Sequence, residues 1–190
     1  MPRFGTCYGG WLIPDEFEIN EDSIIYGVGV GEDISFELNI QNKFKGNIIL
    51  IDPTQRSITH FKEIQNYYET NEWDFSGDIQ HHYEEQIGNL NPDLLKFKYI
   101  EKALWEHNDS LKFYKQDNDQ YVSQTLIGNK YDIVESITIE NIMKQNNHKH
   151  IDILKLDIEG AEITVLNHML DCKIYPTVLC IEFDLILKGK

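Results

Sequence analysis

The sequence predicts an α/β protein with a doubly wound, mostly parallel sheet carrying helices on both faces, and three observations support this. Near-continuous apolar runs recur at 23–29, 47–52, 151–157 and 177–187, as expected of strands buried on both sides. Between them lie stretches whose apolar residues fall three and four apart, the spacing of covering helices. The first run ends in a glycine-rich turn that opens directly into one of those stretches, the local signature of a wound sheet.

Taken in order, residues 1–22 precede the first strand and are expected to form an N-terminal cap segment. "SIIYGVG" (23–29) is a β-branched run ending in glycine, a buried strand that stops in a tight turn. Ile34, Phe36, Leu38 and Ile40 alternate with polar residues, yet Ile34/Leu38 and Phe36/Ile40/Phe44 also form i,i+4 rows. A helix is expected, because "KFKG" supplies a basic last turn and then a stopping glycine. "NIILID" (47–52) is the second strand, and Ile58, Phe61, Ile64, Gln65 and Tyr68 mark a second helix over 54–68. Residues 69–97 have no clean period and read as an insertion over one face. "LKFKYIEKALW" and "EHNDSLKFY" suggest a hairpin-like unit near 98–114. A helix within 136–146 has Ser136 or Thr138 as its cap. "HIDILKLDIEG" gives a strand over 151–157 and a helix with Val165, Leu166, Met169 and Leu170 inward, and "TVLCIEFDLIL" gives a fifth strand.

At 190 residues the chain suits a single domain, 1–190, and 41% hydrophobic content can furnish its core. A formal charge of -15 leaves no basic stripe for phosphates and argues against nucleic acid as a partner. Cys7, Cys172 and Cys180 are odd in number and far apart, so a reducing, cytoplasmic setting is expected rather than a disulfide framework. No apolar stretch approaches the roughly eighteen residues of a membrane span, and no membrane partner is expected.

Gly27, Gly29 and Gly31 make G-x-G-x-G, and the dinucleotide fingerprint would need glycine where Glu32 stands. Backbone amides without side chains can approach a ligand closely, while Glu32 and Asp33 favour one that carries positive charge or hydroxyls over a pyrophosphate. S-adenosylmethionine, with its sulfonium and ammonium, fits; tight packing is the bland alternative. Asp52 closes the second strand about twenty residues after the turn, where an acid can accept from both ribose hydroxyls or cap the helix after "DPT". Asp157 and Glu159, in "LKLDIEGAE", direct carboxylates toward the crevice, although Asp157 could instead cap the following helix. Glu162 reads as solvated or paired with Lys155, itself a strand-edge or pairing residue. Trp11, Trp73 and Trp105 are candidate aromatic walls, Trp105 being best placed for adenine. Tyr121 and Ser123 are candidates for the acceptor side. His81, His82, His107, His148 and His150 show no metal-ligand spacing.

"YGVGVGEDISFE", "IDPT", "DILKLDIEGAE" and "CIEFDL", in this order, resemble the FkbM-type family of S-adenosylmethionine-dependent methyltransferases, over roughly residues 8–187. The resemblance implies a class I methyltransferase fold with Gly27, Gly29, Gly31, Glu32 and Asp52 around the cofactor, and methyl transfer, usually to oxygen, on sugars or natural-product hydroxyls. Many class I methyltransferases carry an acid two residues before the first glycine, where this chain has Ile25, so Glu32 or Asp33 is expected to replace it. The chain stops just after the fifth strand, so the fold's terminal antiparallel pair is expected to be missing. Asp157, Glu159 and Glu182 are expected to line the acceptor pocket, with one carboxylate serving as base or as part of a divalent-metal site. The acceptor is expected to be a small molecule or glycan. A nicotinamide-dependent oxidoreductase and a non-catalytic cofactor-binding module are the competing readings.

Overall fold

A computed structural model describes residues 1–115 and 130–183. The chain opens with a two-stranded ribbon, β1 (Arg3–Phe4) against β2 (Trp11–Leu12). It continues through β3 (Ile24–Val28), α1 (Ser35–Phe44), β4 (Asn47–Ile51), α2 (Gln55–Thr70), α3 (Tyr83–Ile87) and β5 (Phe97–Ile100). Then follow β6 (Ala103–Leu104), β7 (Ser110–Lys115), β8 (Lys130–Ile137), α4 (Ile139–Gln145), β9 (Ile153–Leu156), α5 (Glu162–Asp171) and β10 (Val178–Ile181). Five strands form one sheet in the order β10-β9-β3-β4-β5, every pair parallel. Because β3 leads to β4 on one side and β9 lies on the other, the order reverses between β3 and β9, where open α/β sheets bind ligands.

Alternation along the strands sends side chains to two cores. Ile25, Ile48, Leu50, Ile153 and Cys180 meet α1, α2 and α3 through Phe36, Leu38, Ile40, Phe61, Ile64, Tyr67 and Tyr83. Tyr26, Val28, Ile49, Ile51, Leu154 and Leu156 meet α4 and α5 through Ile142, Val165 and Met169. This is the doubly wound architecture that the apolar runs predict.

The helix reading of 34–44 holds, and burial explains its mixed pattern. Ser35, Glu37 and Gln41 are as inaccessible as Phe36 and Leu38, so three polar residues share the buried side and only Asn39, Asn42 and Lys43 mark the open one. Its stop differs from expectation. Lys45, not Gly46, takes the left-handed conformation (φ 61°) and closes a bond to the Gln41 carbonyl. Gly46 is small because a Cβ there would lie 2.7 Å from Ile25 Cδ1. In α2 the inward residue is Tyr67, with Gln65 exposed, and in α5 Leu170 is 58% exposed. Thr138 caps α4, accepting from the Asn141 amide, whereas Ser136 lies within β8.

The expected hairpin over 98–114 does not form. β5 is used as the parallel neighbour of β4, from Ile48↔Phe97 to Ile51↔Ile100. β7 instead pairs antiparallel with the distant β8, and β6 pairs parallel with its end. Strand character is local, but the choice of partner is made by the faces that tertiary packing leaves open. Within 69–97 an aromatic cluster of Trp73, Phe75 and Tyr83 packs over α2, and the Tyr83 hydroxyl accepts from the Ile34 amide and meets His60 Nε2. Tyr121, Ser123 and the continuation of the last strand to 187 lie outside the described residues. Among the described residues no helix is long and apolar enough to cross a membrane. The three cysteines are unpaired.

Candidate active site

At the carboxyl ends of β3, β4 and β9 lies a cavity of about 450 Å³, within the range of small-molecule sites. Its first wall is the turn after β3. Gly29 (φ 70°) donates to the Ile51 carbonyl at 3.0 Å, and a Cβ on it would overlap the Asp157 carbonyl oxygen. Here glycine lets two chain segments touch. Gly31 (φ 54°) lines the cavity as Gly29 does, but nothing lies within 4 Å of where its Cβ would stand.

Asp52, 5% exposed, closes the floor at the end of β4. Its Oδ2 accepts from the Gly31 amide at 3.1 Å, and its Oδ1 accepts from the Thr54 amide and hydroxyl at 2.8 and 2.7 Å. Burial raises its pKa, against the opposing pull of these donors and of Lys155. The helix cap is Thr54, whose hydroxyl accepts from the Ser57 amide, so Asp52 itself is left to organise the turn. Leu104 and Trp105 line the same cavity, with the Trp105 indole donating to His107 Nε2.

Glu32 and Asp33 also line it, but both carboxylates are already engaged. Glu32 pairs with Arg56 at 2.5 Å, in space left by Gly77. Arg56 thereby offsets the charge that the sequence alone sets against a pyrophosphate. Asp33 accepts from the Thr6 hydroxyl and the Ser35 amide, pinning the N-terminal segment over the turn. That segment brings Tyr8 to the cavity mouth. Gly27 does not line the cavity; it sits inside β3, where its missing Cβ makes room for Glu37 Oε1.

On the β9 side, Asp157 and Glu159 both line the cavity. Asp157 donates its amide to the Val28 carbonyl, and Glu159 stands in the left-handed region at φ 52°, followed by Gly160 at φ 105°. Glu162 is neither solvated nor paired with Lys155. It is 1% exposed and accepts from the Gly160 amide at 2.9 Å, holding this turn. Lys155 is not at an edge, since β9 runs between β10 and β3, and its ammonium lies 3.5 Å from Glu37. Glu182 lies at the exposed end of β10, outside the cavity lining, with its amide on the Leu156 carbonyl. Its charge is still felt at the mouth. The Tyr8 pKa is raised by burial, then by Asp157, Glu159, Asp33 and Glu182.

Asp157, Glu159 and Glu182 do not bring their oxygens close enough together to share one ion. Among the described residues only Glu140, His168 and Cys172, on α4 and α5, hold ligand-type atoms within 4.8 Å of one another, and none of them lines the cavity. Trp11 and Trp73 are also absent from the lining, being packed against the hydrophobic core and the aromatic cluster. Sequence reasoning missed Tyr8, Arg56 and Glu37. Only Glu37 left a sequence signal: a charge between Phe36 and Leu38 in an otherwise apolar row.

No curated protein and no solved structure matches the chain. A model of the methyltransferase FkbM domain matches residues 24–187, a span that begins at β3 and takes in every described strand of the large sheet. Since the match covers most of the chain and contains the whole cavity floor, the protein belongs to the FkbM methyltransferase domain family.

Proposed function

We propose that the protein is an S-adenosylmethionine-dependent methyltransferase that methylates a hydroxyl oxygen of a sugar or another small molecule. The observation that carries this reading is Asp52, buried at the end of β4 and bonded across the turn to the Gly31 amide, beside an aromatic wall at Trp105. A carboxylate so placed accepts from a ribose diol, and the open face of Gly31 admits a nucleoside against the backbone.

When bound, the cofactor supplies a methyl group already activated by its sulfonium, so the protein's task is to position the acceptor and take its proton. Asp157 and Glu159, at the cavity's β9 side, are the groups offered for this. With the cofactor bound, one of these carboxylates would accept the proton that the acceptor hydroxyl gives up. Gly29, Gly31, Asp52 and Trp105 hold the nucleoside; Glu32 and Asp33 shape the turn through Arg56, Thr6 and Ser35. Glu182, beyond the lining, adds field to the mouth.

Isothermal titration with S-adenosylhomocysteine and with nicotinamide dinucleotides tests the cofactor, and methyl-labelled cofactor offered with an array of glycans and small hydroxyl compounds tests the acceptor. Micromolar binding of S-adenosylhomocysteine with label transferred to an oxygen is expected. Binding of the dinucleotides alone sinks the reading, and binding without transfer to any hydroxyl leaves the cofactor-binding module.

A further inference from the structure

The least economical feature of the molecule is the ion pair beneath the glycine turn. Glu37 projects from α1 and is fully buried, with its carboxylate filling the side-chain space that Gly27 leaves empty on β3. Lys155 is the residue in register with Gly27 on β9, is 2% exposed, and brings its Nζ to 3.5 Å from Glu37 Oε1. Neither Glu37 oxygen has a hydrogen-bond partner among the described residues. An ion pair that gives up its hydration for so long a contact costs more in desolvation than attraction returns, so packing alone does not account for it.

What the pair does is fix one positive charge in an acidic cavity. Among the described lining residues the acids are Glu32, Asp33, Asp52, Asp78, Asp157 and Glu159, and the cations are Arg56 and Lys155. Arg56 is paired with Glu32, which itself lines the cavity, whereas Glu37, the partner of Lys155, lies behind the lining. Lys155 stands on β9, next to β3 and two residues before Asp157, on the side of the cavity away from Asp52, where the non-nucleoside end of a ligand seated on Asp52 and Gly31 would fall. We propose that Lys155, anchored by Glu37, is the carboxylate-binding group of the site and receives the α-carboxylate of the cofactor's amino-acid end. Burial works against the lysine's charge, but Glu37, Asp157 and Asp33 outweigh it and hold its pKa above the ordinary value. A neutral ligand group gains nothing from this cation, whereas a carboxylate gains a charge-assisted bond in a low-dielectric wall.

The proposal rests on the nucleoside reading above, and titration calorimetry with two probes separates the two. The probes are S-adenosylhomocysteine and its decarboxylated analogue, which keeps the nucleoside and the amine. The wild-type protein is expected to prefer the carboxylate-bearing probe by about tenfold or more. Lys155→Met should lower that preference to within about twofold, with affinity for the analogue unchanged. Glu37→Gln/Lys155→Met leaves no uncompensated buried charge and should show the same lost preference. A wild-type preference below about threefold overturns the assignment whatever the variants do, and so does an equal loss for both probes in Lys155→Met. Failure of the wild type to bind either probe overturns the nucleoside reading instead.

Discussion

The β4 side and the β9 side of the cavity are built by different means. On the β4 side, Asp52 receives three hydrogen bonds from groups no further away than the Gly31 turn and Thr54, and the backbone after β4 is ordinary. On the β9 side, the chain turns through two successive left-handed residues, Glu159 and Gly160, held by the buried Glu162 carboxylate. A non-glycine residue in that region stores on the order of 1–3 kcal/mol. The first side is thus a relaxed platform that suits a ligand portion common to every turnover. The second holds Asp157 and Glu159 at the cavity through a strained turn, which on the proposed reading would face the variable portion.

Gly29 is the seam between the two sides, and breaking it should produce the largest effect. In Gly29→Ala the new Cβ collides with the Asp157 carbonyl, a backbone atom that cannot step aside, at φ 70°. A loss of about 4 kcal/mol or of cooperative unfolding is expected in urea titration. Gly31→Ala, with open space around it, should cost only about 1 kcal/mol for its φ.

Next in size is a pH effect on the β4 side, whose helix α2 is anchored by buried His60 against Tyr83. Burial lowers the His60 pKa from 6.5 to about 4, with Asp33 opposing. The unfolded chain therefore takes up a proton near pH 6.5 while the folded protein does not until about pH 4. Stability present above pH 6.5 should fall by about 3 kcal/mol between these values. Chemical denaturation at pH 7, 5.5 and 4.5 measures the loss, and His60→Gln should flatten it over the same window.

A paired substitution sharpens the contrast in function. Asp52→Ala should weaken S-adenosylhomocysteine binding by about 100-fold, the scale of two hydrogen bonds to a buried carboxylate. Asp157→Asn should leave that affinity within about threefold and lower turnover by about 100-fold. Full turnover in Asp157→Asn would remove this residue from proton transfer. The smallest effect has the opposite sign: Glu159→Gly relieves the left-handed strain and should raise stability by about 1 kcal/mol, seen as a Tm increase of roughly 2–4 °C. Because the same variant removes a carboxylate offered to the acceptor's proton, it should also be slower in methyl transfer.

Much of the site was readable because its residues follow one another along strand ends. The glycine turn points to Gly29 and Gly31, an acid closing a strand to Asp52, and "LKLDIEGAE" to Asp157 and Glu159, and all five line the cavity. Trp105 lines the cavity too, although the single strand expected before it divides into β5 and β6. Gly27, expected from the glycine motif, and Glu182, expected in the acceptor pocket, are not among the residues that line the cavity. The sequence places Glu32 and Asp33 beside a cationic ligand but does not show their partners Arg56, Thr6 and Ser35, which include residues up to 27 positions away, beyond any local pattern.

The sequence by itself determined the wound parallel sheet, the glycine turn and the carboxylates at the strand ends, because apolar period, backbone freedom and strand termini are properties of neighbouring residues. Only the tertiary structure decided that β7 pairs with β8, that Arg56 offsets Glu32, and that a carboxylate from α1 occupies the side-chain place of Gly27 beside Lys155. Those outcomes depend on which buried faces and charges meet across the sheet, and burial turns a distant pairing into an energetic necessity that no local window contains.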